Sequence, residues 1–174
     1  MSPEDEQVRE VYARFGLAIY AAQCLEHGLV DALMYLDLIP SVKVKMEQKE
    51  WERAVDDFTS QHFEHTLGRL IRDISRFTQV PTSLSDLLSR ALTMRNWLAH
   101  DYFRERAENF MFNEGRVSMI VELQDAVDLL RGADAQLSSL LEPLLIKYGV
   151  TEALITKVEN EMLSEAKRSF SSFQ

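Results

Sequence analysis

Four prolines and six glycines in 174 residues leave little material for the tight turns of a strand-rich fold. One cysteine, Cys24, excludes a disulfide framework and suits a reducing compartment. No uncharged apolar run approaches the roughly 20 residues that a membrane-spanning helix needs, so no membrane partner is expected. Basic residues are the minority: 19 Lys and Arg against 28 Asp and Glu leave a net charge of −9. That balance argues against broad attachment to phosphate backbones, DNA included. The opening Met1-Ser2-Pro3-Glu4-Asp5-Glu6 has neither the basic nor the apolar region of a signal peptide, and a cytoplasmic location is expected.

What remains is abundant in helix formers, with 46% hydrophobic and 27% charged residues, an ordinary globular mix. Apolar residues recur at spacings of three and four in stripes separated by Pro40, Pro81, Gly115 and Gly149. The first stripe predicts a helix from about Asp5 to Leu38, stopped by Pro40. A polar connector over 41–50 precedes a second helix over Trp51–Phe77. A third opens with Ser83 as cap and Asp86 three residues on, and fades near Phe112. A fourth spans Val117–Tyr148, to be kinked or split by Pro143, and a fifth is capped by Thr151 and runs through Phe170. The expectation is an all-α fold, an antiparallel bundle of four to five helices forming a single domain over 1–174. Cys24 reads as a small core hydrophobe. His62 and His65, three apart, invite a metal reading, but no second ligand cluster stands at a suitable spacing, so no metal and no cofactor are expected.

The charge is uneven. Between Arg69 and Arg106 seven arginines face four acids, a local +3 that leaves −12 on the remainder. A basic middle on an acidic body suits a small RNA contact, an acidic protein partner, or a solvated face with paired charges.

Within that middle lies Met94-Arg95-Asn96-Trp97-Leu98-Ala99-His100-Asp101-Tyr102. At ~100° per residue Leu84, Leu87, Leu88, Ala91, Leu98 and Tyr102 line one face, with Arg95 near its middle. A guanidinium there needs an anionic partner or an open cleft, and Glu26, at the edge of the first stripe, is either its counter-ion or a boundary carboxylate in water. Asn96 and His100, four apart, stack on the flank of the same face. An always-charged donor, a carboxamide and an imidazole within two turns can hold a phosphate and move a proton.

The run Arg95-Asn96-x-x-x-His100-x-Tyr102 resembles the signature of the HEPN domains, a superfamily of small α-helical bundles. Many of these are metal-independent ribonucleases of toxin–antitoxin and phage-defence systems. The resemblance is sharp over about Ser83–Arg106 and rests on helical architecture elsewhere. It implies RNA cleavage by attack of the ribose 2′-hydroxyl, with Arg95, Asn96 and His100 as catalytic residues. It further implies a homodimer whose two motifs share a composite cleft, with Tyr102 in support. In toxins paired with a nucleotidyltransferase-type antitoxin, the matching tyrosine can receive an inactivating AMP, which marks Tyr102 as a candidate modification site. The competing reading makes Arg95 an ion-paired structural residue, His100 a core histidine and Tyr102 plain packing. The chain is then a non-catalytic helical interaction or regulatory module.

Overall fold

The computed structural model describes residues 2–42 and 46–171, and all regular structure among them is helical. Six long helices carry the architecture: α1 Pro3–Leu33, α2 Gln48–Phe63, α3 Leu67–Phe77, α4 Thr82–His100, α5 Asn113–Lys147 and α6 Glu152–Ser171. The contacts fall into two units, 1–139 and 140–174. Each unit is taken by itself.

In the first unit, α1 starts in a reciprocal capping box. The Asp5 amide donates to Ser2 Oγ at 3.1 Å and the Ser2 amide donates to Asp5 Oδ2 at 3.0 Å. Regular winding ends at Leu33, five residues before the expected end, and Met34–Leu38 widens into a π-helical turn followed by the short helix Ile39–Ser41. Pro40 supplies the reason, since its ring would strike a carbonyl four residues back and the wider turn relieves it. The connector expected over 41–50 lies partly outside the described residues.

The helix expected over Trp51–Phe77 is two helices, broken at Glu64-His65-Thr66. No proline or glycine stands at that break. Packing accounts for it: α2 buries no residue fully, whereas α3 turns Leu67, Leu70 and Ile74 into the core. The expected third helix, α4, starts at Thr82 with Pro81 at its cap position, two residues ahead of the expected Ser83 cap and without a side-chain cap. It ends at His100, and the remainder to Phe112 is two single turns, Tyr102–Glu105 and Ala107–Phe110.

The core gathers Leu25, Leu29 and Leu33 of α1 with Leu88 and Leu98 of α4, Tyr102, and Leu123, Leu130 and Leu137 of α5. Side-chain pairs give the helix directions. Glu26 meets Arg95 and Phe15 meets Tyr102, so α4 runs antiparallel to α1. Tyr102 reaches Met119 while Arg90 and Met94 share a hollow with Leu129, so α4 is antiparallel to α5 as well. α1 and α5 then run parallel, a departure from a strictly antiparallel bundle. Their partners advance together: Gln7 bonds Asn113 and Arg116, Arg14 bonds Gln124, and Gly28 lies against Asp134 and Leu137.

In the second unit α5 continues through Pro143 to Lys147, so of the two expected effects of that proline, a kink or a split, the split does not occur. Gly149, at φ 75°, turns the chain, and Thr151 Oγ1 accepts from the Leu154 amide at 3.2 Å to start α6. Every residue from Thr151 to Ser171 is exposed. No described helix is long and apolar enough to cross a membrane.

Candidate functional site

The motif helix α4 presents two different faces, and the site divides between them. Leu84, Leu88, Ala91 and Leu98 are buried, and this face carries Arg95 toward α1. There Arg95 Nε donates to Glu26 Oε1 at 3.0 Å, with the two side chains 31% and 23% exposed. Arg95 Nη1 also donates to Asn96 Oδ1 at 3.3 Å. Arg95, Glu26 and Asn96 thus form one hydrogen-bonded group on the flank of the core.

His100 does not join it. Five residues turn a helix by about 500°, leaving His100 about 140° around the axis from Arg95. Its side chain is exposed, unlike a core histidine, and among the described residues it has no hydrogen-bond or ionic partner. Asn96, some 40° from it, is exposed on the same side. A single chain therefore offers Asn96 and His100 to solvent and holds Arg95 at the edge between solvent and core.

Tyr102 lies on the core side, 1% exposed, and its hydroxyl donates to the Met119 carbonyl at 3.3 Å. Its ring stacks on Phe15 at 5.8 Å and stands edge-on to Trp97 at 4.8 Å. Burial, and then the nearby Glu122 carboxylate, push the phenol well above its usual range. The residue is a packing anchor in this conformation, and its oxygen is closed to a modifying enzyme.

Next to it is a polar clasp that the sequence pattern did not reveal. Arg106 forks onto Glu122 at 2.8 and 2.6 Å, and its guanidinium stands 5.1 Å over the Trp97 ring. Trp97 Nε1 donates to Glu105 Oε2 at 2.8 Å. Glu122 raises the already high Arg106 pKa further through that hydrogen bond. Arg106 and Glu122 are 16 positions apart across a turn, a distance at which periodicity carries no signal. The clasp fixes the two short turns after His100, and with them the end of the motif helix.

On the far side of Trp97 along α4, Ser89, Arg90, Thr93, Met94 and Trp97, with Leu129 of α5, line an open, mostly apolar hollow of about 460 Å³. A second, more polar hollow of about 570 Å³ between α1 and α5 holds Tyr20, Cys24, His27, Asp31 and Asp134. Burial raises the Asp31 and Asp134 carboxyls, and their mutual repulsion raises Asp31 further. Cys24 lines this hollow instead of the core expected for it, because the buried stripe of α1 follows Leu25 and Leu29, one residue farther around the helix.

The His62 and His65 rings meet edge to face at 5.1 Å. Among the described residues no group of three or more His, Cys, Asp or Glu side chains is placed to hold a metal ion. No family model, curated protein sequence or solved structure matches this chain.

Proposed function

We propose that this chain is a metal-independent endoribonuclease of the HEPN toxin or defence type, an all-α bundle that acts as a two-fold dimer in the cytoplasm. One observation carries the reading: His100, without a partner, and Asn96 stand exposed on one side of α4, a single turn from a guanidinium held at the surface. In that arrangement the ribose 2′-hydroxyl attacks the adjacent phosphorus and the 5′-oxygen departs, leaving a 2′,3′-cyclic phosphate. His100 takes or gives the proton, Arg95 binds the phosphate oxygens, and Asn96 orients the imidazole or a ribose oxygen. The cycle needs both a base and an acid, and one chain supplies one imidazole at the motif. A second copy facing the first completes the set and brings a His100 toward the partner copy's guanidinium, which a single helix keeps about 140° away. No cofactor or metal enters this chemistry.

Tyr102 supports the site by anchoring the end of α4. A nucleotidyltransferase-type antitoxin would reach its hydroxyl only after the turns between Asp101 and Phe112 had opened.

A second reading is favoured by the Arg95–Glu26 pair at 3.0 Å. If that pair is purely structural, the chain is a helical interaction module whose motif steadies the α1–α4 contact. The test is purified protein on single-stranded and loop RNA in excess chelator. Cleavage is expected to leave cyclic phosphate ends and to spare DNA, which lacks the 2′-hydroxyl. His100→Ala should slow it by roughly 10²–10⁴-fold while leaving the fold intact, since the side chain is exposed and, among the described residues, has no hydrogen-bond or ionic partner. Protein free of any antitoxin that stays inert on a broad RNA panel, or an unimpaired His100→Ala variant, would end the enzyme reading.

A further inference from the structure

Arg72 and Arg90 are the two arginines of the basic middle that hold no acid among the described residues, and of the two Arg90 lines an apolar hollow. Five of the seven arginines between Arg69 and Arg106 hold a carboxylate: Arg69 and Arg76 on Asp73, Arg95 on Glu26, Arg104 on Asp101, and Arg106 on Glu122. Arg90 is exposed and, among the described residues, pairs with no acid. In a chain of net charge −9 a cation without an acid in the lining of an apolar hollow is a conspicuous pairing. The hollow is lined by Trp97, Met94 and Leu129, together with the hydroxyl-bearing Ser89 and Thr93. Both hydroxyls donate inward to α4 carbonyls, Ser89 to Ser85 and Thr93 to Ser89, which leaves their oxygens free to accept.

The geometry points to a nucleotide subsite: the base of one RNA residue lies in the hollow against Trp97 and Met94, and Arg90 holds its phosphate. This inference rests on the ribonuclease reading and names the substrate contact that reading leaves open. Three physical requirements meet there. A nucleobase is a flat, largely apolar group that gains from a thioether, an aliphatic chain and an indole. Its exocyclic amine or ring N–H donates, and the free oxygens of Ser89 and Thr93 accept. Its phosphate needs a cation with no prior partner, and Arg90 is the one that lines this hollow. Position also agrees. Thr93 and His100 are seven residues apart, about 10 Å along the helix and roughly 20° around it, so the hollow opens on the side of α4 that presents His100. A strand seated there continues naturally toward the imidazole. An apolar pocket with a single cation could also take a hydrophobic, acidic protein segment, and the test separates the two.

The experiment uses the full chain with His100→Ala, so that binding is read without cleavage, and with Trp51→Phe, so that Trp97 is the sole indole. The probes are the four ribonucleoside 3′-monophosphates and an eight-residue single-stranded oligonucleotide of uridine or adenosine. Saturable quenching of Trp97 fluorescence is expected. Arg90→Ala should weaken it at least tenfold and flatten its salt dependence. Leu129→Glu should abolish it without shifting the thermal midpoint, because Leu129 is only half-buried and Glu is tolerated on a helix surface. Absence of quenching by every nucleotide at millimolar concentration overturns the subsite, whether or not the wild-type chain cuts RNA. Quenching that Arg90→Ala leaves unchanged overturns it as well. So does capture of an acidic amphipathic peptide, displaceable by Leu129→Glu, in a protein that ignores nucleotides. Conversely, nucleotide binding with the expected variant effects, in a chain that never cleaves, keeps the subsite and removes only the nuclease.

Discussion

The contact between Arg95 and Glu26 decides how much of the motif is free to act, and its strength can be worked from the geometry. Nitrogen and oxygen lie 3.0 Å apart, with the side chains 31% and 23% exposed. Two unit charges about 4 Å apart attract by roughly 4 kcal/mol at an effective dielectric of about 20. Desolvation and side-chain ordering offset most of that, and water reaches both groups, so the net coupling should be about 1 kcal/mol. A double-mutant cycle with Glu26→Gln, Arg95→Gln and the pair, read by urea unfolding, isolates that value. High salt should reduce it only in part, since the pair is not fully solvated. The same free energy has a functional consequence. A phosphate must draw Arg95 from Glu26, so Glu26→Gln should tighten RNA binding by up to roughly fivefold, the factor that about 1 kcal/mol corresponds to. Filter binding with a non-cleaving His100→Ala background measures it. A coupling indistinguishable from zero would refute the ion pair as an energetic element. Weaker RNA binding in Glu26→Gln would refute the competition and make Glu26 part of the binding surface.

Gly115→Ala should destabilise the chain by roughly 3 kcal/mol, because a methyl there would sit 2.7 Å from the Asn109 Cα and closer still to its carbonyl oxygen. Calorimetry would show it, and an unchanged melting temperature would mean that the 109–115 turn adapts. Tyr102→Phe should cost about 1 kcal/mol through the lost bond to Met119. The Tyr102 phenol is raised by burial, so the folded state keeps it neutral where the unfolded chain ionises it. Stability should therefore fall as pH rises above about 10, and the phenylalanine variant should lose that part of the slope. His65 is lowered, chiefly by burial and then by Arg69 and His62, which outweigh the Asp73 carboxylate 3.6 Å from its Nδ1. Its contribution is present above about pH 6.5 and lost as pH falls, so His65→Gln should flatten the acid side of a stability profile followed by dichroism.

The elements most legible in the sequence are those with local causes. The all-helical class follows from stripes of period 3.6, a property of neighbouring residues that needs no knowledge of the rest of the chain. Pro81, Gly149 and Thr151 mark helix ends where they fall, because a missing N–H, a positive φ and a capping hydroxyl act within one turn. The stretch from Arg95 to His100 was singled out for the same reason: the relative angles of Arg95, Asn96 and His100 around α4 are set by spacing alone.

Tertiary packing decided the rest. Glu64-His65-Thr66 breaks a helix with no proline or glycine, because α3 must turn to lay Leu67, Leu70 and Ile74 into the core. The parallel course of α1 and α5 depends on contacts such as Gln7 with Arg116, 109 positions apart, which no periodic pattern encodes. The α1 stripe named Glu26 as a counter-ion candidate, but only the antiparallel docking of α4 on α1 brings its carboxylate to Arg95 across 69 positions. Packing likewise turned Tyr102 inward to Met119 and left Arg90 without an acid at an apolar hollow, since burial and pairing belong to the surfaces that meet and not to the order of residues within one helix.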